Sequence, residues 1–135
     1  MTVEPYIVMI LGYVLWFYVL LLGIVYVRFQ AVKSGLSVLK FTPTGSEGPP
    51  FMNRVCRAHG NMVENFGPLA LIVLAAYITG QTADLNGLAY LFLALRMAQS
   101  ITHWISGTPV MMGVRGIFFF GQVGIQVYWI FALLT

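Results

Sequence analysis

The chain has 135 residues, of which 59% are hydrophobic and only 8% are charged. Soluble domains usually carry about 25% charged residues, so this balance excludes an ordinary soluble domain and predicts an integral membrane protein. The net charge of +3 is spread along the chain and does not form the basic face of a nucleic-acid-binding protein.

Four apolar segments follow one another, and each is long enough for a membrane span of about 20 residues. They cover about residues 5–28, 51–79, 84–106 and 112–134. Little chain remains for loops, so we predict a single all-α domain, residues 1–135, whose four helices run up and down as a bundle. The start of the chain has no basic segment and no signal-cleavage pattern, so we expect the first span to be retained.

The first span begins with Pro5 and ends near Arg28, which is either an interface anchor or part of a site. Residues 29–50 form the long connection, and their Pro, Gly and Ser content predicts turns. Most of the Lys and Arg residues lie in or beside this connection. The positive-inside rule therefore predicts that the first and third connections are cytoplasmic and that both termini lie on the opposite side.

The second span opens with five strongly polar side chains on one face. A helix turns about 100° per residue, which places Arg54, Arg57, Asn61, Glu64 and Asn65 within an arc of roughly 100°. Polar groups are costly against lipid, so this stripe is predicted to face protein or a water-filled cavity. The alternative is that Arg57 and Glu64 only neutralise each other or a neighbouring helix.

The third span carries a second polar face, made by Arg96, Gln99, Ser100 and His103. These residues have helical spacing, and we predict that this face also points into the bundle. The short link of residues 80–83 makes spans two and three antiparallel neighbours. The alternative for His103 is an ordinary hydrogen-bonding residue of the bundle.

The fourth span has Arg115 about one turn inside its start. In an up-and-down bundle Arg115 approaches the same membrane boundary as Arg28, Arg54 and Arg57. Converging arginines with polar residues deeper in the bundle predict a receptor for an anionic, hydrogen-bonding ligand. Here too, the alternative is an interface anchor.

Motifs for several other kinds of chemistry are absent from the sequence. There is no phosphate-binding Gly loop, no HExxH pattern and no nucleophilic serine elbow. The single cysteine, Cys56, allows no internal disulfide and belongs to no cluster with metal-ligand spacing. We therefore predict that no metal is bound.

Residues 54–69, RVCRAHGNMVENFGPL, resemble the signature R-x-x-R-A-x-x-N-x-x-E of the MAPEG family, the membrane-associated proteins in eicosanoid and glutathione metabolism. The length, the four spans, the basic first connection and the arginine in the fourth span agree with this family along essentially the whole chain. The resemblance implies a homotrimer that binds glutathione at subunit interfaces on the cytoplasmic side. It also implies a lipophilic small molecule, reached through the membrane lipid, as the second partner.

The resemblance further implies roles for individual residues. Arg115 is similar to the catalytic arginine that stabilises the glutathione thiolate. Arg28 is similar to an arginine that meets a glutathione carboxylate from the adjoining subunit. The implied glutathione-binding residues are Arg28, Arg57, His59, Asn61, Glu64, Gln99 and His103.

The expected function is a glutathione transferase for detoxification, with or without peroxidase activity. Gln99, His103 and Phe119 differ from residues of the eicosanoid-pathway enzymes, and Gly60 replaces a larger residue, which favours a general detoxifying enzyme. One alternative is a non-catalytic lipid-binding or scaffold protein of the same family. A small multidrug transporter, suggested by Glu64 within a span, ranks below both.

Overall fold

A computed structural model describes residues 2–135. The described chain contains four long α-helices, which confirms the all-α prediction. They are α1 (Pro5–Lys33), α2 (Pro50–Thr79), α3 (Ala83–Ile105) and α4 (Pro109–Leu134). A short 3₁₀ helix, Val38–Lys40, lies in the first connection.

Local sequence signals set most of the helix ends. Helices α1, α2 and α4 begin with Pro5, Pro50 and Pro109, because a first-turn residue needs no N–H for the helix ladder. The Thr108 hydroxyl caps α4 by accepting a backbone N–H of the first turn at 3.4 Å. Helix α2 ends at Gly80, whose φ of 72° suits a residue without a Cβ.

The first helix is longer than the sequence pattern indicated. It continues past Arg28 to Lys33, so the prediction that residues 29–50 form only turns is wrong for residues 29–33. An arginine at a membrane boundary does not stop a helix, and Ala31 is buried against α2 residues on the same face. The helix stops only where Gly35 takes a positive φ of 101°.

Contacts at the two ends of the bundle show that the helices run up and down. At one end the Tyr6 N–H donates to Asn86 Oδ1 at 3.1 Å, and the Asn86 amide donates to Glu4 at 3.3 Å. The starts of α1 and α3 therefore lie together. At the other end His103 of α3 contacts Arg115 of α4. The first and third connections thus share one end, and the chain termini share the other.

Helix α3 packs against each of the other three helices. Helices α1, α2 and α4 are long and apolar enough to cross a membrane, whereas α3 does not reach that level of hydropathy. The prediction of four membrane spans is therefore only partly confirmed. The polar residues that lower the hydropathy of α3 include Arg96, Gln99, Ser100 and Thr102, and all four are buried inside the bundle.

Two apolar clusters hold the helices together. The larger one is centred on Trp129, Phe92, Met9 and Leu20, which are completely buried. The Phe92 and Trp129 rings lie 5.5 Å apart. The smaller cluster joins the end of α1 to the start of α2, and it includes the buried Cys56. Polar side chains of α2, α3 and α4 also meet inside the bundle.

Candidate functional site

An open groove of about 320 Å³ lies on the side of the bundle where α2, α3 and α4 meet. It is close to the end that carries the first and third connections. Its lining residues are Asn61, Gln99, His103, Met112, Arg115, Gly116 and Phe119. Four of the residues predicted to bind glutathione or to act on it are in this group, although they come from three different helices.

Arg115 and His103 form the edge of the groove. Arg115 Nη1 lies 2.9 Å from His103 Nδ1. A guanidinium can only donate hydrogen bonds, so Nδ1 accepts and the ring of a neutral His103 carries its proton on Nε2. Arg115 Nε is buried and has no hydrogen-bond partner among residues 2–135. The groove therefore holds a cation of fixed orientation, whose Nη2 is not buried and has no hydrogen-bond partner in the same part of the chain.

Asn61 forms the floor of the groove and belongs to a buried polar network. Its Oδ1 accepts hydrogen bonds from Arg96 Nη2 and from Gln99 Nε2, the latter at 3.1 Å. Gln99 Oε1 in turn accepts from Gln122 Nε2 at 2.7 Å. Arg96 is completely buried. The network joins α2, α3 and α4, so it fixes the three walls of the groove relative to one another.

Sequence reasoning placed Arg96 on the polar face of α3 but not in the site. Its hydrogen-bond partner is Asn61, although Glu64, also on α2, is the more obvious ionic partner from the sequence. The pairing depends on how far α3 is shifted along α2, which no local pattern gives. Gln122 was missed as a site residue for the same reason, although it shares a helix face with Arg115.

The residues of the polar stripe on α2 differ in how far they are buried. Asn61 and Asn65 are half-buried, whereas Arg57 and Glu64 are exposed on the surface of the single chain. Arg57 and Arg54 nevertheless lie within electrostatic range of Arg115. Positive charges thus gather around one end of the groove, which favours an anionic ligand.

Arg28 and His59 lie outside the groove, on the side of the bundle formed by α1 and α2. Arg28 Nη2 donates to the Thr42 carbonyl at 2.9 Å, and its guanidinium lies 5.2 Å from the Phe41 ring centre. The His59 ring centre is 4.7 Å from that of Phe17. Within one chain, therefore, the predicted site residues fall into two separate groups.

The first connection is held by a glutamate that sequence reasoning did not single out. Glu47 accepts hydrogen bonds from the Thr42 hydroxyl at 2.5 Å and from the Thr42 N–H at 2.9 Å. These bonds, helped by the charge of Arg28, hold the pKa of the Glu47 carboxyl below its usual range. The carboxylate therefore supports the loop that positions Arg28.

A larger cavity, about 490 Å³, lies between the end of α1 and the start of α2. Its one charged lining residue is Glu47, which already accepts two hydrogen bonds from Thr42. A carboxylate-lined cavity has no cation to attract an anion. We therefore assign the candidate anion site to the smaller groove beside Arg115.

The fold and the groove define a class of protein: a bundle of long apolar helices with a polar groove near one end that is lined by an arginine. The chain belongs to the MAPEG family, whose model matches residues 6–135. It is thus an integral, multi-pass membrane protein of a family that includes glutathione transferases, peroxidases and eicosanoid enzymes. This match confirms the resemblance seen in the sequence. No curated protein and no solved structure matches the chain.

Proposed function

We propose that the protein is a membrane-bound glutathione transferase that joins the sulfur of glutathione to lipophilic electrophiles. The observation that carries the proposal is the convergence of Arg115, His103 and Asn61 on one groove in a chain of this family. The groove offers a cation and polar side chains to a peptide with carboxylates and a thiol. It also borders the membrane, from which a lipophilic second substrate can enter.

The chemistry requires glutathione to react as a thiolate. An ordinary thiol has a pKa of about 8.5 and is mostly protonated at neutral pH. A guanidinium beside the sulfur favours the anion, and Arg115 is the residue we assign to this role. The thiolate then attacks the electrophilic carbon, a carbon–sulfur bond forms, and the leaving group departs with its electron pair. The same thiolate is suited to reducing lipid peroxides.

Contacts between subunits form part of this proposal. Arg57 and Glu64 are exposed on a membrane helix, where facing lipid would be costly. A homotrimer covers them, and it allows Arg28 and His59 of one subunit to complete the groove of its neighbour. The basic first connection favours a cytoplasmic side for this end of the bundle.

The test of the proposal is conjugation of glutathione to a chloronitrobenzene by the purified protein in detergent. We expect the activity to depend on both substrates and to fall about tenfold or more when Arg115 is replaced by alanine. Lys40→Ala is the matched control, because it removes a cation from the exposed part of the first connection, away from the groove. The proposal is contradicted if the protein neither conjugates glutathione nor releases heat when glutathione is added.

A second candidate function is lipid binding without catalysis. Two apolar cavities of about 320 Å³ and 290 Å³ lie side by side between α1 and α2 and share Tyr13 and Phe66 as lining residues. Their apolar lining suits an acyl chain. Calorimetry separates the two functions: a protein that binds a lipid but shows no heat with glutathione belongs to the non-catalytic class.

A further inference from the structure

The buried network beneath the groove determines which way the Asn61 amide faces. Gln122 Nε2 lies 2.9 Å from the backbone carbonyl of Phe118, an atom that can only accept a hydrogen bond. The nitrogen of Gln122 must therefore lie there, and the same nitrogen donates to Gln99 Oε1. Gln99 is then left with its nitrogen facing α2, where it donates to Asn61 Oδ1.

A second hydrogen bond independently supports the same orientation of the Asn61 amide. Arg96 contacts the same Asn61 atom, and a guanidinium has no acceptor, so this atom must be the amide oxygen. Both lines of contact, from the Phe118 carbonyl and from Arg96, require the same orientation. Asn61 thus turns its oxygen toward α3, and its Nδ2, with two donor hydrogens, remains on the side of the groove.

We infer that Arg96, together with the Gln99–Gln122 pair, is a positioning element that holds Asn61 as a hydrogen-bond donor to a carbonyl or carboxylate oxygen of the ligand. Arg96 does not touch the groove and acts through Asn61. This inference rests on the proposed function only in taking glutathione as the source of that oxygen. It also gives Gln99 a positioning role, because both ends of its amide are already bonded inside the bundle.

Asn61→Asp tests the donor role. The aspartate has the same shape, and its oxygen still accepts from Arg96 and Gln99, but an oxygen replaces the donor that faces the groove. We expect the melting temperature to be unchanged or higher, while the Kd for glutathione measured by calorimetry rises about tenfold or more. Gln81→Glu is the matched control, since it makes the same amide-to-carboxylate change at the opposite end of the bundle, away from the groove, and it should bind glutathione like the parent.

Arg96→Met tests the positioning role. Arg96 is completely buried with Nε and Nη1 unpaired among residues 2–135, so an apolar side chain of similar length should not destabilise the fold. We expect a KM for glutathione raised by about fivefold or more, a kcat near that of the parent, and an unchanged or higher melting temperature. Arg96→Lys, which retains a donor, should restore part of the affinity.

The outcomes separate this inference from the proposed function. If the parent binds glutathione and Asn61→Asp binds it equally well, the donor role is refuted while the proposed function stands. If Arg96→Met lowers the melting temperature without changing the KM, Arg96 is only structural and the positioning role is refuted. If the parent shows no heat with glutathione, the proposed function fails and the assignment of the ligand oxygen fails with it.

Discussion

Replacing Arg115 by alanine should separate chemistry from binding. The side chain contacts His103 through Nη1 at 2.9 Å, while its Nη2 is not buried and has no partner among residues 2–135, so a donor remains for a sulfur anion in the groove. An interaction made with the thiolate acts on the reacting state. Arg115→Ala should therefore lower kcat and leave the affinity for glutathione nearly unchanged.

The size of this effect follows from the type of bond that is lost. A hydrogen bond to a charged group contributes about 1.5–3 kcal/mol. Each 1.4 kcal/mol changes a rate about tenfold, so the turnover should fall about 10- to 150-fold. Arg115→Lys keeps the charge but not the planar fork of donors, and it should give an intermediate rate.

The assay is steady-state conjugation of a chloronitrobenzene over a range of glutathione concentrations, with calorimetry of glutathione binding on the same samples. Lys40→Ala serves as the control for removing one positive charge from this end of the protein. If Arg115→Ala conjugates at the parent rate, the residue is an interface anchor. The role of stabilising the thiolate would then belong to another group.

Three further predictions concern binding, pH dependence and assembly. Arg57→Ala should weaken glutathione binding by about 1.5–3 kcal/mol, as for a charged hydrogen bond to a carboxylate, with little change in kcat; an unchanged Kd by calorimetry would contradict this. Because the pKa of Glu47 is lower in the folded protein than in the unfolded chain, its contribution to stability is present above about pH 4.3 and is lost as the pH falls through the folded pKa. The melting temperature of the parent should therefore fall more steeply below that pH than that of Glu47→Gln, and parallel curves would show that the bonds from Thr42 do not matter. Detergent-corrected mass measurement should give a trimer, and a preparation that contains only monomers would contradict the proposed assembly.

The sequence was informative where the physical signal is local. Hydropathy located the four helices, and the prolines at positions 5, 50 and 109 mark three of their starts. Arg28 was a poor marker for the end of α1, because an arginine at a membrane interface extends its charge to water while the helix continues. The actual end at Lys33 depends on the backbone conformation that follows, for which Gly35 was the available signal.

The candidate site was predictable as a set of residues but not as an arrangement. Helical spacing placed Asn61, Gln99 and His103 on polar faces, and the structure brings them into one groove with Arg115. The same spacing could not show that Arg96 pairs with Asn61, because that contact depends on the relative shift of two packed helices. Nor can a pattern within one chain show what covers Arg57 on the surface.

We propose that the groove beside Arg115 binds glutathione and converts it to the thiolate. Stopped-flow absorbance of the thiolate, recorded when the protein in detergent is mixed with glutathione at neutral pH, tests this most directly. We predict a glutathione-dependent rise in thiolate absorbance that is abolished or strongly reduced in Arg115→Ala and retained in Lys40→Ala. An absence of any thiolate signal from the parent protein at saturating glutathione would contradict the claim.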